Sequence, residues 1–353
     1  MWRDARIADT KAMTRRVLIA LALALGAGAA PASASLVADQ WALAPSGPLR
    51  APLAWLQSTG AGATVAVLDT GVKLNRPELR GRIWTNPGEI PGNGRDDDGD
   101  GIIDDVHGAD FVNGDGVPAD DEGHGTHVAG IIGARGMVEG LAPGATILPV
   151  KVLDADNSGN AHWLAEGIAY AVARGARILN VSVNGDGSST ELEAAIRDAE
   201  AAGAVIVASA GNDGRDLASQ PSYPVSYPEA AIVGVGATDA RGRRATFSNR
   251  GPGVDVTAPG DDILSLGSPG FAYRSGTSMA AAYVSATLAL QAAAAPGTPM
   301  STLRDALLGS LRPGLRLDAA SAVRAVKPKA ARPGHRRAKH RATSRGARRA
   351  ARR

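Results

Sequence analysis

Three side chains suited to nucleophilic catalysis stand far apart in the sequence: the carboxylate of Asp69, the imidazole of His124 and the hydroxyl of Ser278. A serine hydroxyl is a weak nucleophile until a base removes its proton, and an imidazole serves best when a third group fixes its tautomer. Each residue alone is ambiguous. Asp69 opens Asp69-Thr70-Gly71 directly after the apolar run Thr64–Leu68, and an acid at a strand's carboxyl end is well placed to orient a base. The same triplet serves aspartic proteases, but those need a second such loop, and no second Asp-Thr/Ser-Gly occurs. His124 lies in Gly123-His124-Gly125-Thr126-His127-Val128-Ala129-Gly130. Its two histidines at i, i+3 lack the i, i+4 spacing and intervening glutamate of a zinc-protease helix. Ser278, in Ser275–Ala280, heads an alanine-rich stretch. A helix N-terminus there would offer free N–H groups to developing negative charge, yet a serine in that place reads equally as an N-cap.

A second chemistry is suggested by Asp96-Asp97-Asp98-Gly99-Asp100-Gly101, followed by Asp104-Asp105. Acids at 96, 98 and 100 with a glycine next repeat the spacing at which alternate carboxylates converge on Ca²⁺. The twelfth position is His107 rather than glutamate, so this is not an EF-hand. Asp96, Asp98, Asp100 and Asp104 are the expected ligands of one structural Ca²⁺.

These residues need a frame. Near-continuous apolar runs at Thr64–Leu68, Thr146–Val152, Ile178–Val183, Val205–Ala208 and Ile232–Val235 read as buried parallel strands. Helical patterns fall between them at His124–Ile132, Ala161–Arg174 and Thr190–Ala202, the last two followed by Gly175 and Gly203 at left-handed caps. A long helix is expected from near Ser278 to before Pro296, and another over Ser301–Leu311. Alternation of this kind predicts an α/β fold: three layers, α/β/α, around a mostly parallel sheet.

Taken together, Asp69-Thr70-Gly71, His124-Gly125-Thr126-His127 and Gly276-Thr277-Ser278-Met279-Ala280 resemble the three signatures of the subtilisin-like serine proteases, in that family's order of Asp, His and Ser. Further matching stretches are Val150–Leu153, Ser209–Gly214, Phe247–Gly251 and Val254–Gly260, so the resemblance spans about Asp39 to Ala295. It implies an endopeptidase in which Ser278 attacks the scissile carbonyl, His124 carries the proton and Asp69 orients the imidazole. It also implies that Asn212 is the oxyanion-hole side chain. Protein or peptide substrates would lie as an added strand along Ser182-Val183-Asn184 and Ser209-Ala210-Gly211. Asp-rich insertions between the Asp and His motifs hold calcium in relatives. The sequence departs from the family at Asn184, where glycine is usual, and at Ala282, where proline is usual; both bear on specificity more than on chemistry. A catalytically silent binding protein of the same fold is the alternative, and the complete set of motifs argues against it.

The ends carry other signals. Arg15-Arg16, the apolar run Val17–Ala30 and Ala32-Ser33-Ala34 read as a secretory signal peptide within residues 1–34, with Met13 a possible start. The expected product is extracellular, with no membrane span in the mature chain. Ser35–Ala63 is too short for an independently folded prodomain, which needs about 40 residues. The peptidase domain is expected over 64–326. With no cysteine, disulfides and cysteine-ligated metals are excluded. The net charge of +3 conceals an asymmetry: Lys327–Arg353 carries twelve Lys and Arg and no acid, leaving −9 on the remainder. That tail cannot bury a core and reads as disordered. It suits an anionic cell-surface polymer, and its lack of aromatics argues against specific nucleic-acid recognition. The chain is expected to be a monomer.

Overall fold

The computed structural model describes residues 5–6 and 35–327. The secretory-signal reading falls almost wholly outside these residues, and the basic tail falls outside them beyond Lys327.

Seven strands form one parallel sheet: β1 (Thr64–Asp69), β2 (Ala109–Asp110), β3 (Thr146–Lys151), β4 (Ile178–Val181), β5 (Val205–Ser209), β6 (Ile232–Thr238) and β7 (Val256–Pro259). Their spatial order is β2-β3-β1-β4-β5-β6-β7. Every pairing in the sheet is parallel. The order therefore turns at β1, which has β3 on one side and β4 on the other. In open α/β sheets a ligand crevice lies beyond the strand ends at such a turning point, and Asp69 is the last residue of β1.

The longer strands are mostly apolar on both faces because each face is covered. Val65 and Val67 join the core beneath α2 (His124–Gly133) and α5 (Thr277–Ala294), while Ala66 and Leu68 pack toward α3 (Ala161–Ala173) and α4 (Thr190–Ala201). This is the expected three-layer arrangement. Asn160 caps α3 and Ser189 caps α4, each side chain accepting a free backbone N–H of the first turn. Gly175 and Gly203 take positive φ beyond those helices, as the sequence predicts.

The two helices of the other face are unusual, since neither is amphipathic. All ten residues of α2 are buried, as are Thr277–Gln291 of α5. Small side chains make this possible. A Cβ on Gly125 would lie 2.1 Å from the Gly71 carbonyl oxygen, so only glycine lets α2 start against the loop after β1. Alanines do the same for α5, which packs between the sheet and the pair α6 (Met300–Gly309) and α7 (Ala319–Val326).

The antiparallel hairpin of β8 (Ile263–Leu266) and β9 (Phe271–Arg274) lies against α2 and leads into α5. Neither it nor β2, β7 and α7 was apparent in the sequence pattern. Residues 35–63 pack onto this frame. Gln40 donates to the Glu139 and Leu264 carbonyls, Trp41 to Asp262 and Trp55 to Leu141, and α1 (Ala51–Trp55) buries Ala51 and Ala54. Among the described residues, no helix is long and apolar enough to cross a membrane.

Candidate active site

The end of β1 and the start of α2 deliver an acid and a base to the same point. His124 Nδ1 lies 2.6 Å from Asp69 Oδ1, with both side chains buried. A carboxylate only accepts, so Nδ1 carries the proton and donates it. In the neutral ring this leaves the lone pair on Nε2. Asp69 Oδ1 also accepts the Thr70 N–H. Burial pulls the His124 pKa down, but the charge and hydrogen bond of Asp69 outweigh it and leave the imidazole above its ordinary 6.5.

A residue absent from the sequence reading holds this arrangement. Asp120 is buried and accepts from Thr70 Oγ1, from the N–H groups of Glu122, Gly123 and Thr126, and from Thr126 Oγ1. Thr70 Oγ1 in turn accepts the Gly125 N–H. One carboxylate thus ties the residue after Asp69 to the residues flanking His124. The only sequence signal was an acid four residues ahead of a histidine at a helix start, in a run of three acids. The second histidine of the motif plays a different part. His127 Nε2 is 3.1 Å from both the Ile263 and Ala272 carbonyls, clipping the hairpin to α2. Burial first, then the neighbouring Arg274 and His124, push its pKa down to about 3, so it is neutral.

Ser278 sits at the second position of α5, where the backbone N–H has no partner within the helix. It lines one small pocket with His124, Asn212, Arg274, Ser275, Gly276 and Met279. Asn212 stands beyond β5, and its Oδ1 accepts the Thr277 N–H at 2.9 Å and the Thr277 hydroxyl at 3.0 Å. A backbone N–H must donate, which fixes the amide orientation. The Asn212 NH₂ is left as a donor beside the Ser278 N–H. A hydroxyl, an imidazole and two N–H donors thus border one pocket, with the imidazole bonded to a buried carboxylate.

Comparison with known proteins accounts for this combination. The subtilase family model matches residues 60–336. The chain belongs to the subtilase family. It is 37% identical over 266 residues to thermitase of Thermoactinomyces vulgaris, covering 73% of this chain and 84% of that one. It is 38% identical to an intracellular serine protease of Paenibacillus polymyxa, covering 69% and 70% of the two chains. A crystal structure of a cold-adapted subtilisin-like serine proteinase superposes with a TM-score of 0.62 at 32% identity, over 74% of this chain and 86% of that one. A protease from Pseudoalteromonas arctica gives a TM-score of 0.71 at 28% identity, over 84% and 99%. The protein is a serine-type endopeptidase.

In this subtilase the segments after β4 and β5 run side by side toward Asn212. Ser182, Val183, Ser209, Ala210 and Gly211 are buried, and Asn184 is half-buried. The Asn184 side chain crosses between the segments: its Nδ2 donates to the Ser209 carbonyl at 2.6 Å and its Oδ1 accepts the Ser209 hydroxyl at 2.9 Å. A glycine could make neither bond.

The acidic loop folds into two overlapping groups of carboxylates, Glu89–Asp96–Asp98 and Asp98–Asp100–Asp105. The expected quartet is therefore regrouped. Asp104 takes positive φ and turns its carboxylate to the Gly92 and Gly94 N–H groups, while Glu89 and Asp105 join the acids at 96, 98 and 100. The Arg174 guanidinium, from the end of α3, pairs with Asp98 and Asp100. Burial pulls Asp98 upward, but bonds from Asn86 and Arg174 leave it below the usual carboxylate range. Asp105 is pushed up by burial despite bonds from Tyr170 and Asn86.

Proposed function

We propose that this subtilase is a secreted enzyme that cleaves peptide bonds through an acyl-enzyme on Ser278. His124 Nε2 takes the Ser278 hydroxyl proton as Oγ adds to the scissile carbonyl, then passes it to the leaving amine. Asp69 holds the tautomer and stabilises the imidazolium. The Asn212 NH₂ and the Ser278 N–H receive the negative charge on the tetrahedral oxygen. Substrate backbone pairs with Ser182-Val183-Asn184 and Ser209-Ala210-Gly211. The observation that carries this reading is the buried Asp69–His124 hydrogen bond beside the pocket shared by Ser278 and Asn212. Turnover of an unselective protein substrate by the purified protein, beside Ser278→Ala, tests it. Hydrolysis only by the unaltered protein is expected; equal rates, or none from either, would refute it.

The acidic loop is proposed to hold one structural Ca²⁺. Glu89 Oε1 accepts the Asp97 and Asp98 N–H groups, while Oε2 is buried with no partner. Glu89, Asp96 and Asp98 bring ligand oxygens within 4.8 Å of one another, and an all-oxygen set suits a hard cation. The ion would neutralise the loop and stabilise the fold; it takes no part in hydrolysis. Export rests on the sequence of residues 1–34, and retention at anionic surfaces on residues 327–353.

A further inference from the structure

Glu122 and Arg274 form an ion pair at the catalytic pocket that the proposed chemistry leaves unused. Arg274 Nη1 lies 3.3 Å from both Glu122 oxygens and Nη2 lies 3.2 Å from Oε1, a forked contact with side chains 15% and 23% exposed. The positions of the two residues matter. Glu122 is two residues before His124, on the loop that enters α2. Arg274 is the last residue of β9, four before Ser278, and lines the pocket with His124, Asn212 and Ser278. A Cβ on Gly123 would sit 3.5 Å from Arg274 Nη2, so the guanidinium lies against the His124 loop itself.

We propose that Glu122 and Arg274 are a positioning pair: their bridge fastens the loop carrying His124 to the turn carrying Ser278. The proposal rests on His124 acting as the base. No backbone hydrogen bond joins the Glu122–Gly123 loop to the Arg274–Gly276 turn, so the side-chain bridge is the polar link between them. The charged groups around His124 are few. Asp69 faces it from β1, Glu122 from its own loop and Arg274 from β9, while His127 on α2 is neutral. Asp120 is engaged by Thr70 and Thr126, and Asp121 by Lys151. Glu122 favours the protonated imidazole and Arg274 disfavours it. A forked guanidinium–carboxylate contact has the directionality to fix two loops, which a single lysine contact lacks.

Because the charges act in opposite senses, breaking the bridge from either end should produce opposite shifts. Glu122→Gln removes a charge that holds the proton, so His124 should titrate lower and the acid limb of kcat/KM should move down in pH. Arg274→Met should move both up. Each variant should also lose roughly two- to fivefold in kcat with little change in KM, the scale of a part-exposed ion pair. The swapped pair, Glu122→Arg with Arg274→Glu, should recover most of that kcat. The titration of His124 is followed by NMR on the full chain alongside the rate profile, with thermal unfolding to confirm that each variant folds. If one of these variants fails to fold, Arg274→Lys replaces it; it keeps the charge and loses the fork, so kcat should fall with the titration unmoved. Opposite shifts in the NMR titration with no turnover by any form would defeat the peptidase mechanism and leave the pair standing. Shifts in one direction from Glu122→Gln and Arg274→Met, an unmoved titration in either of these two, or an undiminished kcat in Arg274→Lys, would overturn the pair.

Discussion

Two of the carboxylates around His124 are sealed, while Glu122 is part-exposed in its pair with Arg274. Asp69 and Asp120 are buried, and their bonded oxygens meet N–H and O–H donors from residues close by on two loops and one helix start. In the loop from Asn86 to Asp105, carboxylates are crowded and range from buried (Glu89, Asp105) to exposed (Asp97, Asp98, Asp100), and they are held by turn N–H groups and by one distant guanidinium. The first region places its charge with donors already in position, so the geometry is ready before substrate arrives. The second carries several like charges against Arg174; each region leaves one buried carboxylate oxygen without a partner, Asp69 Oδ2 in the first and Glu89 Oε2 in the second, and the proposed Ca²⁺ would neutralise the second. Acid count does not separate them. Burial and the source of the donors do.

The largest effect should come from the donor that meets developing charge. Asn212→Ala should lower kcat by about 10²–10³ with KM little changed, the size established for this donor in subtilisin. A steady-state comparison checks it, and an equal loss in 1/KM would assign Asn212 to substrate binding instead. Asp120→Ala sharpens the contrast from the scaffold side. It strands buried hydroxyl and amide donors around α2 and should destabilise the fold by about 3 kcal/mol in urea unfolding, while also lowering kcat. Removing any single exposed acid, such as Asp97, should cost far less.

Both regions were legible in the sequence, to different depths. Five of the seven sheet strands were visible because their runs are buried on two faces, and the three motifs lie where strands end or helices begin. Asp120 was not legible, because nothing in Asp120-Asp121-Glu122 distinguishes the acid that turns inward. Nor was Arg174, which reaches the acidic loop from about seventy residues away in sequence. Asp104 was expected among the ligands, and alternation along a loop does not say that its oxygens would accept the Gly92 and Gly94 N–H groups. The hairpin of β8 and β9 is only four residues to a strand, too short to register as a period.

Calcium tests the open region. At a hundredfold excess over Kd, one bound ion adds about 2.7 kcal/mol, so chelator should lower Tm and added Ca²⁺ restore it; Glu89→Gln should weaken the response. Equal melting with ion and with chelator would remove the site. A pH-dependent effect belongs to His127. Its folded pKa, about 3, lies below the unfolded 6.5, so between these values the unfolded chain binds more protons. Its contribution to stability is present above pH 6.5 and is lost as pH falls toward 3. Acid unfolding profiles of the protein and His127→Gln should therefore converge at low pH. Parallel profiles would contradict a neutral His127.

Ser278, with His124 beside it in one pocket, is the proposed nucleophile. The most direct measurement is treatment of the intact protein with a serine-directed phosphonylating inhibitor, followed by mass spectrometry of the peptides. One adduct per chain, on Ser278, lost in His124→Ala and in Ser278→Ala, is the predicted result. Labelling elsewhere, or undiminished labelling in His124→Ala, would contradict it.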